Sequence, residues 1–258
     1  MLCIGGRAAA AQVAPNRATA SLFPTNVTDA RALWVNPAGL AVAQTVSLEL
    51  ALTMGDPGSQ GQLRQWTAGF NSRGVSFGYQ HDVLPNGVKG DTYRAGLAAG
   101  RAGIAGGLAA SLYRGETKTL GWDLGAVIGG ERPLELGAAL TNLGNPVVRG
   151  VRQPATALPG LTWRPGRGSW AFSLLGRLAT DSVLGYAAGV TLQMRAIDRL
   201  RLLFRLDTDR SLRRSGLAVG VSIGAHDVAS AVGSATGSPV RWSDADLYAV
   251  SSRGAGTH

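Results

Sequence analysis

The sequence is poor in cysteine, in lysine and in long apolar runs. Its single cysteine, Cys3, excludes an intrachain disulfide framework and a cysteine-based zinc site. No apolar run reaches the roughly 18 residues of a membrane-spanning helix, but membrane β-strands need only about 9–11 residues and leave a weaker hydropathy signal. The basic residues are nearly all arginines, with only Lys89 and Lys118 as lysines, and they are scattered along the chain. Despite a net charge of +9, a basic sequence without a clustered patch argues against nucleic-acid binding.

Glycine is abundant, at 37 residues, and large apolar side chains alternate with small or charged ones from about residue 45 to residue 250. One stretch shows the pattern plainly: Leu200, Leu202, Phe204 and Leu206 share one parity, and Arg199, Arg201, Arg205 and Asp207 share the other. Successive side chains of a strand point to opposite faces, so each such stretch predicts a strand with one apolar face. Twelve strands are predicted, near 45–53, 63–71, 73–81, 91–99, 102–113, 120–129, 133–142, 157–164, 169–178, 184–195, 199–207 and 214–224. One or two weaker strands are expected within 225–233 and 240–250.

Two features favour a transmembrane barrel over a soluble β-sandwich, which also alternates and stays the alternative. The face opposite the apolar one is mainly Gly, Ala and Ser with isolated charges, as a narrow lumen requires. The candidate lumen charges are Glu49, Asp123, Glu135, Arg177, Arg201 and Arg205. Aromatic residues lie near strand ends, where membrane barrels carry aromatic girdles: Tyr79, Tyr93, Tyr113, Trp122, Trp163 and Trp170. The prediction is an all-β protein, an antiparallel transmembrane β-barrel of about 12–14 strands with a short N-terminal helix or plug segment.

The chain before the first strand divides into two parts. Residues 1–25 are expected to be a leader or a disordered N-terminus, and their Ala-rich start is typical of either a truncated export signal or a disordered tail. Residues 26–44 carry a predicted helix over 28–35, with Thr28 as its cap and Asp29 at the positive end of its dipole. Asn36 and Pro37 end that helix. Residues 45–250 form the barrel, and residues 251–258 are expected to be a tail or linker.

The stretch Asp-Ala-Arg-Ala-Leu-Trp-Val-Asn-Pro-Ala-Gly-Leu-Ala at 29–41 resembles the N-terminal signature of the FadL-like outer-membrane barrels, especially their PorV/PorQ-type branch. The segments 141–144 and 157–164 are similar to the middle region of that group, so the resemblance spans residues 28 to about 224. It implies a 14-stranded barrel, an N-terminal segment tucked toward the lumen, and the outer membrane of a Gram-negative-type bacterium. The chain departs from the pattern at both ends, with no intact signal peptide and no terminal aromatic residue. We therefore expect a fragment, or the barrel portion of a larger fused envelope protein.

The predicted plug and turn residues are Leu33, Trp34, Asn36, Pro37 and Gly39. Proline fixes its own φ and ends the helix, while Gly39 is expected to supply a backbone shape that is closed to other residues. Asn36 can bond nearby main chain. We expect Leu33 and Trp34 to pack at or inside one barrel mouth; the alternative is an ordinary surface turn.

No catalytic constellation is predicted, so the sequence points away from an enzyme and implies neither a cofactor nor a metal. Gly74-Val-Ser-Phe-Gly78 fits the hydrolase elbow by letters, but that elbow needs a strand-to-helix turn and here lies within an alternating strand. The three histidines (His81, His226 and His258) share no metal-ligand spacing. Acidic pairs at 207/209 and 244/246 are typical of solvated turns, and the Gly-rich run 96–107 has no following helix to form a phosphate loop.

The function implied by the resemblance is passage of a hydrophobic or small solute across the outer membrane. The alternative is a non-catalytic scaffold that docks proteins for export. The expected partners are outer-membrane lipid and either a hydrophobic small-molecule ligand or a secreted or envelope protein, with no nucleic acid.

Overall fold

The protein is a closed β-barrel. The computed structural model describes residues 16–43, 45–55, 61–84, 87–115, 118–129, 132–166, 169–194, 200–224, 227–236 and 241–254, and these form fourteen barrel strands. Each strand pairs antiparallel with its neighbours, and the first strand (Thr45–Gly55) pairs with the last (Arg241–Gly254) to close the wall. The predicted all-β barrel is therefore confirmed. Cys3, His226, His258 and the first fifteen residues of the segment predicted as a leader or disordered N-terminus over 1–25 lie outside the described residues.

The strand bounds follow the chain. The barrel strands are β1 Thr45–Gly55, β2 Gln62–Ser72, β3 Val75–Val83, β4 Lys89–Arg101, β5 Ile104–Arg114, β6 Lys118–Ile128, β7 Leu134–Leu143, β10 Thr156–Trp163, β11 Trp170–Ala179, β12 Val183–Met194, β13 Leu200–Asp209, β14 Arg214–Ile223, β15 Asp227–Thr236 and β16 Arg241–Gly254. A separate two-stranded hairpin, β8 Val147–Val148 with β9 Val151–Arg152, lies between β7 and β10. The two segments expected to hold weaker strands are full strands, β15 and β16.

The side-chain alternation separates an apolar exterior from a lumen of small and polar groups. On β1, Leu48 is 58% exposed while its neighbour Glu49 is 4% exposed. The exterior of most strands carries Leu, Val, Ile and aromatic side chains with large exposed areas, as a wall that faces lipid requires. Among the predicted girdle aromatics, Tyr93, Trp122, Trp163 and Trp170 are exposed on this outer face. The prediction that Tyr113 belongs to an aromatic girdle is wrong, because this residue is 3% exposed and lies in the lumen. It has the parity of the small residues Ala109 and Ser111 on β5.

The barrel has two distinct ends. The turn end carries the two-residue connections 73–74 and 102–103, and also the first residue of β1 and the last of β16. In both tight turns φ is positive at both residues, as at Ala102 (54°) and Gly103 (82°), which matches the twist of a hairpin. The loop end carries the longest described connection, residues 144–155, with the β8–β9 hairpin.

The main apolar core lies inside the barrel and is built around residues 16–43, here called the lumen segment. Val27, Leu33, Trp34 and Leu40 are at most 4% exposed and pack with one another and with the wall residue Ala109. The wall strands pair with one another in a closed ladder, and the segment packs inside them through its side chains and its own short helices. These are 3₁₀ helices at Arg17–Thr19 and Pro37–Ala41 and an α-helix at Ala32–Val35.

The helix predicted over 28–35 is shorter than expected. It begins at Ala32 with no side-chain cap, and Thr28 does not cap it. Asp29 instead accepts from the backbone N–H of Arg31 at 3.0 Å and pairs with the Arg31 guanidinium, so its carboxylate is engaged in a local turn.

Candidate lumen site

The lumen segment crosses the barrel and contacts most of the wall. At its start, Asn16 donates to Glu49 (3.2 Å) and the Arg17 guanidinium pairs with Asp244 (2.8 Å), near the loop end. Its middle reaches β10, where the hydroxyl oxygens of Thr25 and Thr162 are 2.6 Å apart. It then returns past β3–β6 to β1, so that the segment occupies the interior rather than one mouth.

Leu33 and Trp34 lie in the lumen, 0% and 4% exposed, against the glycine-bearing inner face of β3 and β4. A Cβ atom at Gly78 would lie 2.7 Å from the Trp34 ring, and one at Gly96 would lie 2.6 Å from Leu33 Cδ1. The Arg94 guanidinium carbon is 5.6 Å from the Trp34 ring centroid. Small residues on this wall therefore make the room that the two large side chains occupy.

Asn36 is fully buried and bonds in three directions. Its Nδ2 donates to the carbonyl oxygens of Pro24 (2.9 Å) and Ala126 (3.2 Å), and its Oδ1 accepts from the N–H of Ala38 (3.1 Å). The first bond ties two parts of the lumen segment together, and the second ties the segment to β6. A single side chain thus couples the fold of the segment to its seat on the wall.

Pro37 begins the 3₁₀ helix Pro37–Ala41 as well as following the α-helix. It lies against β5, where a Cβ atom at Gly107 would come within 2.4 Å of the Pro37 carbonyl carbon. The predicted turn at 36–39 is therefore a short helix with its N-terminal residue pressed onto the wall, a use of proline at the first helical position that its fixed φ favours.

Gly39 is required for space and not for backbone shape, contrary to the expectation from sequence. Its φ is not among the positive values of the described residues. A Cβ atom at this position would instead lie 2.1 Å from the carbonyl oxygen of Val27 and 2.9 Å from Ala32 Cβ. The 3₁₀ helix and the preceding loop cross at this glycine, and any larger residue would separate them.

The six charges assigned to the lumen all lie at lumen-facing positions, and they differ in their partners. Five of the six have an ion-pair or hydrogen-bond partner: Glu49 with Asn16, Asp123 with Arg94, Glu135 with Arg164, and Arg177 and Arg205 with Asp207. Arg205 also donates to the carbonyl oxygen of Leu22 (2.7 Å). Arg201 has no hydrogen-bond or ion-pair partner among the described residues, and its Nε is buried.

A second group of buried charges lies toward the loop end. Arg149, in the β8–β9 hairpin, points inward and pairs with Asp82 of β3, and its guanidinium also donates to Thr92 (3.2 Å). Its side chain is only 2% exposed. The 144–155 connection therefore folds back into the barrel.

Sequence reasoning missed several of these residues for two reasons. Asp82 and Arg94 have the lumen parity of their strands, so the alternation itself could have identified them. Arg149 lies in a connection with no alternation, where no sequence signal marks the inward direction of the side chain.

A cavity of about 190 Å³ remains in the lumen near the turn end, between the lumen segment and strands β11–β16. The segment contributes Leu22, Asn26 and Arg31 to its lining, and Arg201 on β13 faces it from the wall.

The other chemistry considered from sequence is not assembled in the described residues. Ser76 lies within β3, is 0% exposed and donates to the carbonyl oxygen of Phe70 (2.7 Å), so no strand-to-helix elbow surrounds it. Among the described residues no group of three or more His, Cys, Asp or Glu side chains is arranged to hold a metal ion. Within the same part of the chain, no helix is long and apolar enough to cross a membrane.

Comparison with protein-family models and with curated protein sequences finds no match. Among solved structures, a FadL homologue of Pseudomonas aeruginosa is similar, with a TM-score of 0.48 and 11% identity over 90% of this chain and 95% of that chain. Variants of a Rhodopseudomonas blastica porin are also similar; one has a TM-score of 0.45 and 10% identity over 81% of this chain and 99% of the porin. Likeness of this degree identifies neither a family nor a solute.

Proposed function

We propose that this protein is a bacterial outer-membrane β-barrel that passes a hydrophobic or small solute, with the lumen segment as its plug. The observation that carries the proposal is the seat of this segment: it fills the lumen through side-chain contacts and hydrogen bonds, beside a cavity of about 190 Å³. A closed ladder with an apolar outer face satisfies the requirements of a lipid environment.

The scaffold alternative is less well supported by the loops. A docking role needs surface that projects from the barrel, but the longest described connection, 144–155, is anchored inward through the buried Arg149. The two-residue turns at 73–74 and 102–103 offer little surface at the other end. The FadL-like and PorV/PorQ-type resemblance is compatible with both solute passage and a docking scaffold. The short or inwardly anchored connections therefore favour passage.

A disulfide lock tests whether the lumen segment must move. The hydroxyl oxygens of Thr25 and Thr162 are 2.6 Å apart, so cysteines at both positions bring their sulfur atoms within reach of a bond about 2.05 Å long. The matched control joins two wall strands instead: Thr162 and Ser173 are register partners on β10 and β11, with hydroxyl oxygens 2.8 Å apart. Both pairs are made in a Cys3→Ser background.

Proteoliposomes containing each oxidised variant are assayed for swelling in arabinose and for uptake of a fluorescent dodecanoate. We expect the Thr25→Cys/Thr162→Cys variant to lose passage of whichever probe the wild type admits, and to regain it on reduction. The wall-to-wall control should behave as wild type under both conditions. Passage of neither probe by the wild type, or equal passage by locked and control variants, would contradict a plug that moves; envelope proteins recovered with the barrel would then favour the scaffold.

A further inference from the structure

The charged residues that line the lumen cavity near the turn end are all positively charged. Three of its residues carry guanidinium groups, Arg31 on the lumen segment, Arg164 after β10 and Arg201 on β13, and within the described part of the chain none of the lining residues is acidic. A cavity lined by cations without an acid among its walls favours an anion over a cation or a neutral solute.

The three arginines are not equally neutralised. Arg31 is paired with Asp29, with its Nε 2.9 Å from Oδ1, and its guanidinium carbon is 4.7 Å from the ring centroid of Tyr248. Arg164 is paired with Glu135 at 2.9 Å. Arg201 has a buried Nε with no hydrogen-bond partner among the described residues. A buried donor without an acceptor costs about 1–3 kcal/mol, so the cavity holds one positive charge that an anion would satisfy.

The rest of the lining supplies neutral donors and one apolar side. Ser169, Thr191, Gln193 and Ser222 face the cavity from the wall, and Asn26 faces it from the lumen segment. Leu22, Leu203 and Val232 also line it. Hydroxyl and amide groups beside a guanidinium are the donors that carboxylate and phosphate oxygens accept from, and the apolar side suits a short carbon skeleton.

We infer that this cavity binds a small organic oxyanion, a carboxylate or a phosphate ester, between Arg201 of the wall and Arg31 of the lumen segment. A volume of about 190 Å³ is below the roughly 300–1,000 Å³ of pockets for drug-sized ligands, so a long acyl chain does not fit within it. The inference deepens the proposed function by naming the solute class. Because both segment and wall line the cavity, the anion contacts the plug directly.

Calorimetric titration of the detergent-solubilised full chain tests the site without requiring transport. The probes are succinate, glycerol 3-phosphate and inorganic phosphate, with neutral glycerol as the blank. The test variant is Arg201→Gln, which removes the unpaired charge, and Arg201→Lys restores the charge without the planar fork. The control is Arg177→Gln, which removes a lumen arginine toward the loop end that does not line the cavity.

We expect wild type to bind succinate or glycerol 3-phosphate but not glycerol, and Arg201→Gln to weaken binding about tenfold or more, the loss typical of one charge-assisted contact. Arg201→Lys should recover part of it, and Arg177→Gln should bind as wild type. Stronger binding of inorganic phosphate than of both organic probes would overturn the organic assignment, and equal weakening by the two Gln variants would overturn the site. Binding that survives while no probe crosses proteoliposomes would refute passage but leave the site standing.

Discussion

Asn36 and Gly125 meet inside the barrel so closely that a Cβ atom at position 125 would stand 2.0 Å from Asn36 Oδ1. The same Cβ would lie 2.8 Å from the backbone nitrogen of Ala38, and Asn36 cannot turn aside without losing its bonds to Pro24 and Ala126. The seat of the lumen segment therefore depends on one missing methyl group in β6.

Gly125→Ala should unseat the lumen segment while the wall stays intact. Overpacking a buried site of this kind costs about 1–3 kcal/mol, and the segment is the part that can yield. We expect faster tryptic cleavage at the buried Arg31 and unchanged β-content by circular dichroism. Gly106→Ala is the control, since its Cβ points outward and would meet only the Gly125 carbonyl oxygen at 3.9 Å. Equal cleavage of the two variants would show that the contact at Gly125 does not hold the segment.

Alanine substitutions at Gly39 and Pro37 should release the lumen segment to different extents, because the two residues hold it in different ways. Gly39→Ala forces a Cβ to within 2.1 Å of the Val27 carbonyl oxygen and should expose Arg31 to trypsin as strongly as Gly125→Ala does. Pro37→Ala removes a preset φ, worth about 0.4–1 kcal/mol, and some ring contact with the wall, but it forces no groups apart and should have the smaller effect. Tryptic cleavage rates and leakage of a small dye from proteoliposomes measure both. A larger effect of Pro37→Ala than of Gly39→Ala would mean that backbone shape matters more than space.

Arg149→Ala should open the loop end. Removing one partner of a buried ion pair leaves the other uncompensated at a cost of about 3–5 kcal/mol. Among the described residues, Asp82 would keep only the amides of Gln65 and Gln80. We expect the 144–155 connection to become accessible to protease and the temperature of heat-modified gel migration to fall. Arg152→Ala is the control, since Arg152 lies in the same hairpin but is exposed. No difference between the variants would mean that Arg149 does not anchor the hairpin.

Acid should release the middle of the lumen segment. Burial alone would raise the pKa of the Asp29 carboxyl, but the charge and hydrogen bonds of Arg31 outweigh it and hold this pKa below 3.8. Because the folded pKa lies below the unfolded one, the contribution to docking is complete above about pH 4 and is lost as the pH falls through the lowered value. Cleavage near Arg31 by an acid protease such as pepsin should therefore rise as the pH falls below the usual range of an aspartate pKa.

Asp29→Asn provides the matched comparison for this acid effect. It should weaken docking already at neutral pH, because Arg31 loses its charged partner, and it should flatten the rise in cleavage at low pH. A variant that keeps the wild-type pH profile would assign the acid effect to another carboxyl.

The barrel was predictable from sequence because its cause is local. The parity of Leu48 and Glu49, or of Phe204 and Arg205, follows from the pleat of one strand, and each strand repeats it. The position of Tyr113 could not be predicted from its place near a strand end, because an aromatic ring there can face either outward or into the lumen. Only the parity of the residue along β5 shows which face it is on. β15 and β16 carry many Ala and Ser residues on both faces, which weakened the pattern although the closure depends on them.

The site was less predictable because its causes are contacts between distant parts of the chain. The sequence marks Asn36 and Pro37 as the residues that end a helix. The role of Gly39 depends on its close approach to the backbone of Val27, which no local pattern reveals. The inward direction of Arg149 depends on Asp82, 67 residues earlier. The shared cavity of Arg31, Arg164 and Arg201 likewise exists only once the wall has closed.

The inner face of β3–β6 is complementary in shape to the lumen segment. Its glycines each lie beneath a particular group of that segment: Gly78, Gly96, Gly107 and Gly125. This fit has an evolutionary consequence: a substitution on the wall or on the segment is tolerated only with a compensating substitution on the other. Exchanging the N-terminal segments of two barrels of this type should fail unless β3–β6 are exchanged with them. The apolar exterior does not contact the segment, so we expect its residues to vary independently, while the segment and the inner face of β3–β6 change together.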